Sequence, residues 1–180
     1  MRVSVEQIEA APKALAYAED VDALNRRLDA GPHDVRVGKP LAVDLTYYRA
    51  GLDVVFEGSV HGPAQATCAR CAEPFSQPVD ARFRVILCPR VVMDTDSQEL
   101  TCDDLGLGFF EGDEIDVTAL VHEHAILSLP TRPLCSEECR GLCARCGANL
   151  NVAPCACAHE TERPRLAVIR DLVQARRGQN

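Results

Sequence analysis

Residues 41–61 read LAVDLTYYRAGLDVVFEGSVH. From Leu41 to Tyr48 apolar and polar side chains alternate, the two-residue period of a strand with one face in a core. Gly51 interrupts the run and Leu52 to His61 resumes it. The stretch therefore reads as a β-hairpin whose second strand is expected to stop at Gly62-Pro63. A third strand is expected from Val79 to Leu87, with Val79, Ala81, Phe83, Val85 and Leu87 facing one way. Three or four antiparallel strands make one amphipathic sheet, and its apolar face needs helices to cover it.

Two segments supply such helices. Residues 20–30 (DVDALNRRLDA) place Leu24 and Leu28 on one face, with Asp20 as N-cap and Gly31-Pro32 as the stop. Residues 117–129 (VTALVHEHAILSL) follow Asp116 as N-cap and end at Pro130, with Val117, Leu120, Val121 and Leu127 as the expected buried face. Between sheet and helix, residues 89–114 read as a loop rich in Asp and Gly. The fold class expected is α+β, an antiparallel sheet covered by a few helices. Residues 1–130 hold the sheet and residues 131–180 form a cysteine-rich segment packed with it. That segment ends in a helix begun at Pro164, with Leu166, Ile169, Leu172 and Val173 on one stripe. No internal repeat is read from the sequence.

The 180 residues include ten cysteines, no tryptophan and a formal charge of −8, with 47% apolar residues. That is too apolar for a disordered tail, and no run approaches the roughly 20 apolar residues of a membrane span. Acidic residues stand near the N-terminus where a signal peptide has its apolar core, so a cytoplasmic protein is expected. Charge is uneven. Residues 1–130 hold 11 basic and 22 acidic side chains, while 131–180 hold 8 arginines and 5 acidic side chains. Residues 94–116 carry nine acidic side chains and no basic one. A chain this acidic does not bind nucleic acid indiscriminately, so any such contact is local.

In a reducing cytosol ten cysteines point to metal before disulfides. Eight come in close pairs: Cys68/Cys71, Cys135/Cys139, Cys143/Cys146 and Cys155/Cys157. A two-residue spacer lets one tight turn aim two thiolates at one ion, and zinc takes four in a tetrahedron. Cys143, Cys146, Cys155 and Cys157 form one local set, in which His159 is an alternative ligand. Cys68, Cys71, Cys135 and Cys139 form a second, stapling the strand region to the C-terminal segment. One or two structural zinc ions are expected. Arg70, Arg140 and Arg145 stand beside the ligands to offset thiolate charge. Cys88 and Cys102 read as ordinary core or loop thiols.

No catalytic constellation is visible. His122-Glu123-His124 lacks the four-residue histidine spacing of a zinc-protease helix, and His124 reads as a partly buried helix residue. The order around Cys135 does not match a zinc deaminase. There is neither a glycine-rich phosphate loop nor a nucleophile elbow, and no small-molecule substrate is indicated.

Several stretches together carry a resemblance. They are Cys68-Ala69-Arg70-Cys71-Ala72-Glu73-Pro74-Phe75, Ile115-Asp116 leading to Leu129-Pro130, PLCSEECRGLCARCGANLNVAPCAC at 133–157, and Arg163-Pro164-Arg165-Leu166-Ala167. In these the chain resembles the YceD family, the large ribosomal RNA subunit accumulation proteins of bacteria and plastids. The resemblance implies a non-enzymatic factor for accumulation of large-subunit (23S) rRNA, acting in ribosome assembly or rRNA processing. The partner expected is a precursor rRNA or a ribosomal protein. RNA would meet Arg140, Arg145, Arg163, Arg165, Arg176 and Arg177, and a basic ribosomal protein would meet the acidic run 94–116. A rival expectation is a thiol- and zinc-responsive redox switch or adaptor.

Overall fold

The computed structural model describes residues 1–31, 34–90 and 107–157. In chain order the strands are β1 (Arg2–Ser4), β2 (Lys13–Glu19), β3 (Val35–Arg36), β4 (Leu41–Ala50), β5 (Asp53–Thr67), β6 (Pro74–Pro89), β7 (Leu107–Phe110) and β8 (Glu114–Asp116). The helices are α1 (Asp22–Asp29) and α2 (Val117–Leu127). Six strands form the main sheet in the order β2-β4-β5-β6-β7, with β3 also on β5, and β1 pairs with β8 apart from it. The described residues are thus mostly sheet with two α-helices, an α+β architecture. Two compact units are present, Met1–Cys139 and Arg140–Asn180.

The hairpin at 41–61 forms as its alternation requires. Leu41, Val43, Leu45 and Tyr47 are buried, Ala42 and Asp44 are exposed, and Gly51 turns the chain at φ 69°. The second strand does not stop at Gly62-Pro63; β5 continues to Thr67, and β6 begins at Pro74 and not at Val79. The register explains why the breakers are tolerated. Pro63 lies opposite Pro78, and two prolines face each other only where neither is asked for an N–H. On its other side β5 has already passed its last partner on β4, Ala42 opposite His61.

The expected loop at 89–114 also needs correction. Residues 91–106 lie outside the described set, but Leu107–Phe110 form β7, paired in parallel with β6. The main sheet is therefore antiparallel except at this edge. Strands β1 and β2 and the short β3 lie where the sequence signals none, and they bring the total beyond the three or four strands expected.

One face of the sheet holds the core. Val43 lies opposite Val60, Tyr47 opposite Phe56, and Phe56 opposite Val85. At Gly58 a Cβ would stand 2.8 Å from the Asp44 carbonyl and 2.9 Å from Cζ of Phe83. The missing side chain lets the Phe83 ring lie over the strand, and the ring then stacks on His124 of α2 with centroids 4.5 Å apart. His124 is half-buried, in line with the sequence reading.

Helix α2 starts at the expected cap: Asp116 accepts a hydrogen bond from the Ala119 N–H at 3.4 Å. Its buried face is rotated from expectation. Val117 and Val121 are buried, but so are His122 and Ala125, while Leu127 is 70% exposed. Helix α1 begins one residue later than expected, with Val21 as N-cap, and Asp20 serves it from one position further out, accepting from the Asp22 N–H at 3.0 Å. Leu24 and Leu28 are buried as the pattern requires. Between them Asn25 donates to the Val37 carbonyl at 2.8 Å and accepts from the Val37 N–H at 2.9 Å. A buried amide here does the work of a strand partner and satisfies both backbone groups of Val37. The expected C-terminal helix from Pro164 lies outside the described residues.

Candidate metal centres

Two sets of four cysteines each bring their sulfur atoms together, Cys68/Cys71/Cys135/Cys139 and Cys143/Cys146/Cys155/Cys157. Within each set all Sγ atoms lie within 4.8 Å of one another. In the first, the Cys68–Cys139 and Cys71–Cys135 sulfur separations are both 3.8 Å. A tetrahedral ion with metal–sulfur bonds of about 2.3 Å has sulfur–sulfur edges of about 3.8 Å. The donor set and its spacing therefore fit one four-coordinate ion. A polynuclear iron–sulfur cluster, whose own iron and sulfide atoms lie between the cysteines, needs a wider cage.

The two centres are built on the same turn. Each starts from the tetrapeptide Cys-Ala-Arg-Cys, at 68–71 and 143–146. In the first, Cys68 N–H donates to the Glu73 carbonyl at 2.9 Å and Ala72 N–H to the Cys68 carbonyl at 2.9 Å. In the second, Cys143 N–H donates to the Ala148 carbonyl at 2.8 Å and Gly147 N–H to the Cys143 carbonyl at 2.9 Å. The residue after the second cysteine has positive φ in both, 58° at Ala72 and 71° at Gly147. The sequence reading found no repeat; the shared turn corrects it. The legible signal was the tetrapeptide itself, occurring twice.

Electrostatics favour one ready thiolate in each turn. Burial opposes ionisation of Cys68, but the N–H groups of Cys135, Cys71 and Arg70 outweigh it and bring its pKa down to about 6. The Cys135 N–H donates to Cys68 Sγ at 3.4 Å. Cys143 is likewise lowered to about 6, chiefly by the N–H groups of Cys146 and Arg145. Their neighbours are held up in turn. Cys135 rises to about 12 through its hydrogen bond with Cys68 and its burial, and Cys157 to about 12 through Cys146 and burial. One anion forms readily in each turn, and the raised Cys135 and Cys157 thiols ionise when a cation stabilises them.

The first centre joins distant parts of the Met1–Cys139 unit. Its turn links β5 to β6, while Cys135 and Cys139 follow α2. Phe75 and Leu134 pack against the buried cysteines. Arg70 donates to the carbonyls of Glu137 at 2.8 Å and Cys139 at 3.0 Å, and Ala69 N–H to that of Pro133 at 2.8 Å. Arg70 thus holds the second pair of cysteines against the first. The second centre is local to the Arg140–Asn180 unit. A bridge between Leu142 and Asn149 closes its turn, and Arg140 N–H donates to Asn151 Oδ1 at 2.7 Å.

Of the arginines expected to meet RNA, Arg140 and Arg145 are exposed beside the second centre. Arg163, Arg165, Arg176 and Arg177 lie outside the described residues, as do Cys102, His159 and most of the acidic run. Cys88 is half-buried on β6.

Sequence reasoning missed one polar cluster. His122 is 1% exposed, and its Nε2 lies 3.3 Å from Oε1 of Glu19, itself 7% exposed. The separation meets an ion-pair distance but not hydrogen-bond geometry, and the Tyr17 hydroxyl nearby also lacks a hydrogen-bond partner. Burial lowers the His122 pKa against the attraction of Glu19, and Arg27 adds to the depression. Burial and Glu19 together raise that of Tyr17. No described helix is long and apolar enough to cross a membrane.

A family model described as Large ribosomal RNA subunit accumulation protein YceD matches residues 56–173. A maize chloroplast protein named as a YCED homolog 1 is 30% identical over 172 residues, covering 81% of this chain and 57% of its own length. An uncharacterized protein of Mycobacterium leprae is 28% identical over 117 residues, 65% of this chain and 52% of its own length. One from Mycobacterium bovis is 26% identical across 96% of this chain and 81% of its own. The chain thus spans about half the length of the first two of these relatives. No solved structure matches.

Proposed function

The chain belongs to the YceD family, and from that membership we propose that it is a non-enzymatic, cytoplasmic factor for accumulation of large-subunit rRNA, binding precursor rRNA through its C-terminal unit. Both four-cysteine centres hold zinc, as their tetrahedral spacing suits. The ion supplies cross-linking energy, roughly 10–16 kcal/mol per site at neutral pH. With four protein ligands neither centre keeps a position open for water or substrate, which is the form of a structural site.

The partition of charge between the two units carries the RNA reading. Residues 140–180 hold seven arginines against three acidic side chains, a balance of +4. Residues 1–139 hold 12 basic against 24 acidic, a balance of −12. A polyanion is drawn to the first and repelled by the second. The arginines, forked donors suited to phosphate, are Arg140, Arg145, Arg163, Arg165, Arg176 and Arg177, with Arg170 as the seventh. The acidic unit favours a second reading, in which a basic ribosomal protein is the partner.

Titration of the full chain with large-subunit precursor fragments over a salt series tests this. Replacing Arg140, Arg145, Arg163 and Arg165 by glutamate is expected to abolish binding at moderate salt. Single replacements should lower the salt slope by about 0.7 per lost phosphate contact on a single strand. Unchanged RNA affinity, with a basic ribosomal protein captured equally by both forms, moves the function to the acidic unit.

A further inference from the structure

The two centres share one turn and one ligand set, yet their surroundings differ. In the first, Cys68, Cys71 and Cys139 are 2%, 3% and 6% exposed and pack with Phe75 and Leu134, and only Cys135 is exposed. Opening it requires residues 131–139 to peel away from the β5–β6 turn, breaking both Arg70 contacts and the Ala69–Pro133 hydrogen bond. In the second, Cys146 is exposed and Cys155 and Cys157 are only half-buried. Among the described residues from 140 to 157, Gly141 and Cys143 alone are buried, and Leu142 and Val152 face solvent. These described residues form no apolar core, so metal–sulfur bonds and a few local hydrogen bonds, such as Arg140 N–H to Asn151 Oδ1, set the cost of opening the stretch.

We propose that the centres are unequal in permanence: Cys68/Cys71/Cys135/Cys139 holds a resident ion, whereas Cys143/Cys146/Cys155/Cys157 is an exchangeable site for a soft divalent cation that orders the arginine-bearing stretch when loaded. The inference rests on the metal and RNA readings above and adds a regulation to them. An incoming ligand reaches the second ion at exposed Cys146 and between half-buried Cys155 and Cys157, whereas at the first only Cys135 is exposed and the other three sulfurs are buried. Loss of the second ion unravels 140–157 alone, so presentation of Arg140 and Arg145 follows the supply of metal. The exchange is ligand substitution, with no electron transferred: zinc passes to the competing chelator and the thiolates take up protons.

The full chain, loaded with zinc, is mixed with excess EDTA and followed by native mass spectrometry and by hydrogen exchange resolved along the sequence. One ion is expected to leave at least about tenfold faster than the other. Protection should fall at 141–150 and persist in β4, β5 and residues 68–72. Departure of both ions in one phase, or loss of protection at 68–72 first, overturns the proposal. A Cys146→Ser chain should keep one ion and an unchanged sheet; if its sheet loses protection, the sites are coupled and the proposal fails. RNA affinity of the one-ion species should drop at least about tenfold, to the level of the arginine variants. If the two-ion protein binds no RNA, the functional reading falls, while the mass spectra still decide the inequality of the sites.

Discussion

Replacing Ala72 by glycine should strengthen the first centre. Ala72 sits at φ 58°, where a Cβ crowds the following carbonyl at a cost of about 1–2 kcal/mol. Glycine removes that strain but frees the unfolded chain by about 0.4–1 kcal/mol. The net gain is about 0.5–1 kcal/mol, or roughly 2–3 °C in Tm for a unit of this length. The second turn provides the converse. Gly147 has φ 71° and no atom within 4 Å of a built Cβ, so Gly147→Ala meets no steric neighbour and carries the backbone cost alone. It should weaken zinc binding at the second centre roughly two- to fivefold. Differential scanning calorimetry of Ala72→Gly and a chelator competition on Gly147→Ala measure the two effects. A lower Tm for Ala72→Gly with both ions bound, or tighter zinc binding by Gly147→Ala, would refute the shared-turn argument.

Other consequences follow from the sheet and its helix. His122 is held below its usual pKa by burial, opposed by Glu19 and the Asp20 carbonyl and assisted by Arg27. The unfolded chain therefore binds the proton more readily. The stability at issue is fully present above the unfolded pKa of about 6.5 and is lost as pH falls through the folded one, with a slope of at most about 1.4 kcal/mol per pH unit. Urea midpoints between pH 5 and 7.5 should show that slope flattened in His122→Gln, and parallel curves would count against it. Gly58→Ala forces a Cβ against the Asp44 carbonyl and Phe83 and should cost about 1–3 kcal/mol in urea unfolding; a neutral result would mean the strand has room to yield. Asp116→Ala removes the α2 cap and should cost about 1 kcal/mol by the same assay, whereas Leu127→Gln should cost under about 0.5 kcal/mol because Leu127 is exposed.

What the sequence disclosed depended on how local the deciding interaction was. The hairpin at 41–61 was legible because alternation and Gly51 act within a few residues. The continuation of β5 past Gly62-Pro63 was not, since only the partner strand, with Pro78 opposite Pro63, makes a proline acceptable there. Helix α2 was legible as a helix from its cap and Pro130. Its buried face was not, because apolar residues surround it and the choice falls to Phe83 and Glu19, distant in sequence. Strand β7 offers only four residues, too short a run to show a period. Cysteine spacing disclosed which residues are paired in each turn. That Cys135 and Cys139 join Cys68 and Cys71 was legible as well, as the pairs left over once 143–157 forms a local set; what fastens them, Arg70 reaching the Glu137 and Cys139 carbonyls, is a tertiary fact without a sequence signal. The buried Glu19–His122 contact had no sequence signal beyond two polar residues on otherwise apolar faces.

On the proposed reading, two four-thiolate centres each hold one zinc ion and the C-terminal unit depends on its own. Native mass spectrometry of freshly purified protein, beside Cys68→Ser and Cys143→Ser chains, tests it most directly. Two zinc ions are expected in the parent and one in each variant, with the Cys143→Ser chain keeping the thermal transition of its sheet. A single ion in the parent, or loss of both ions on either substitution, would contradict it.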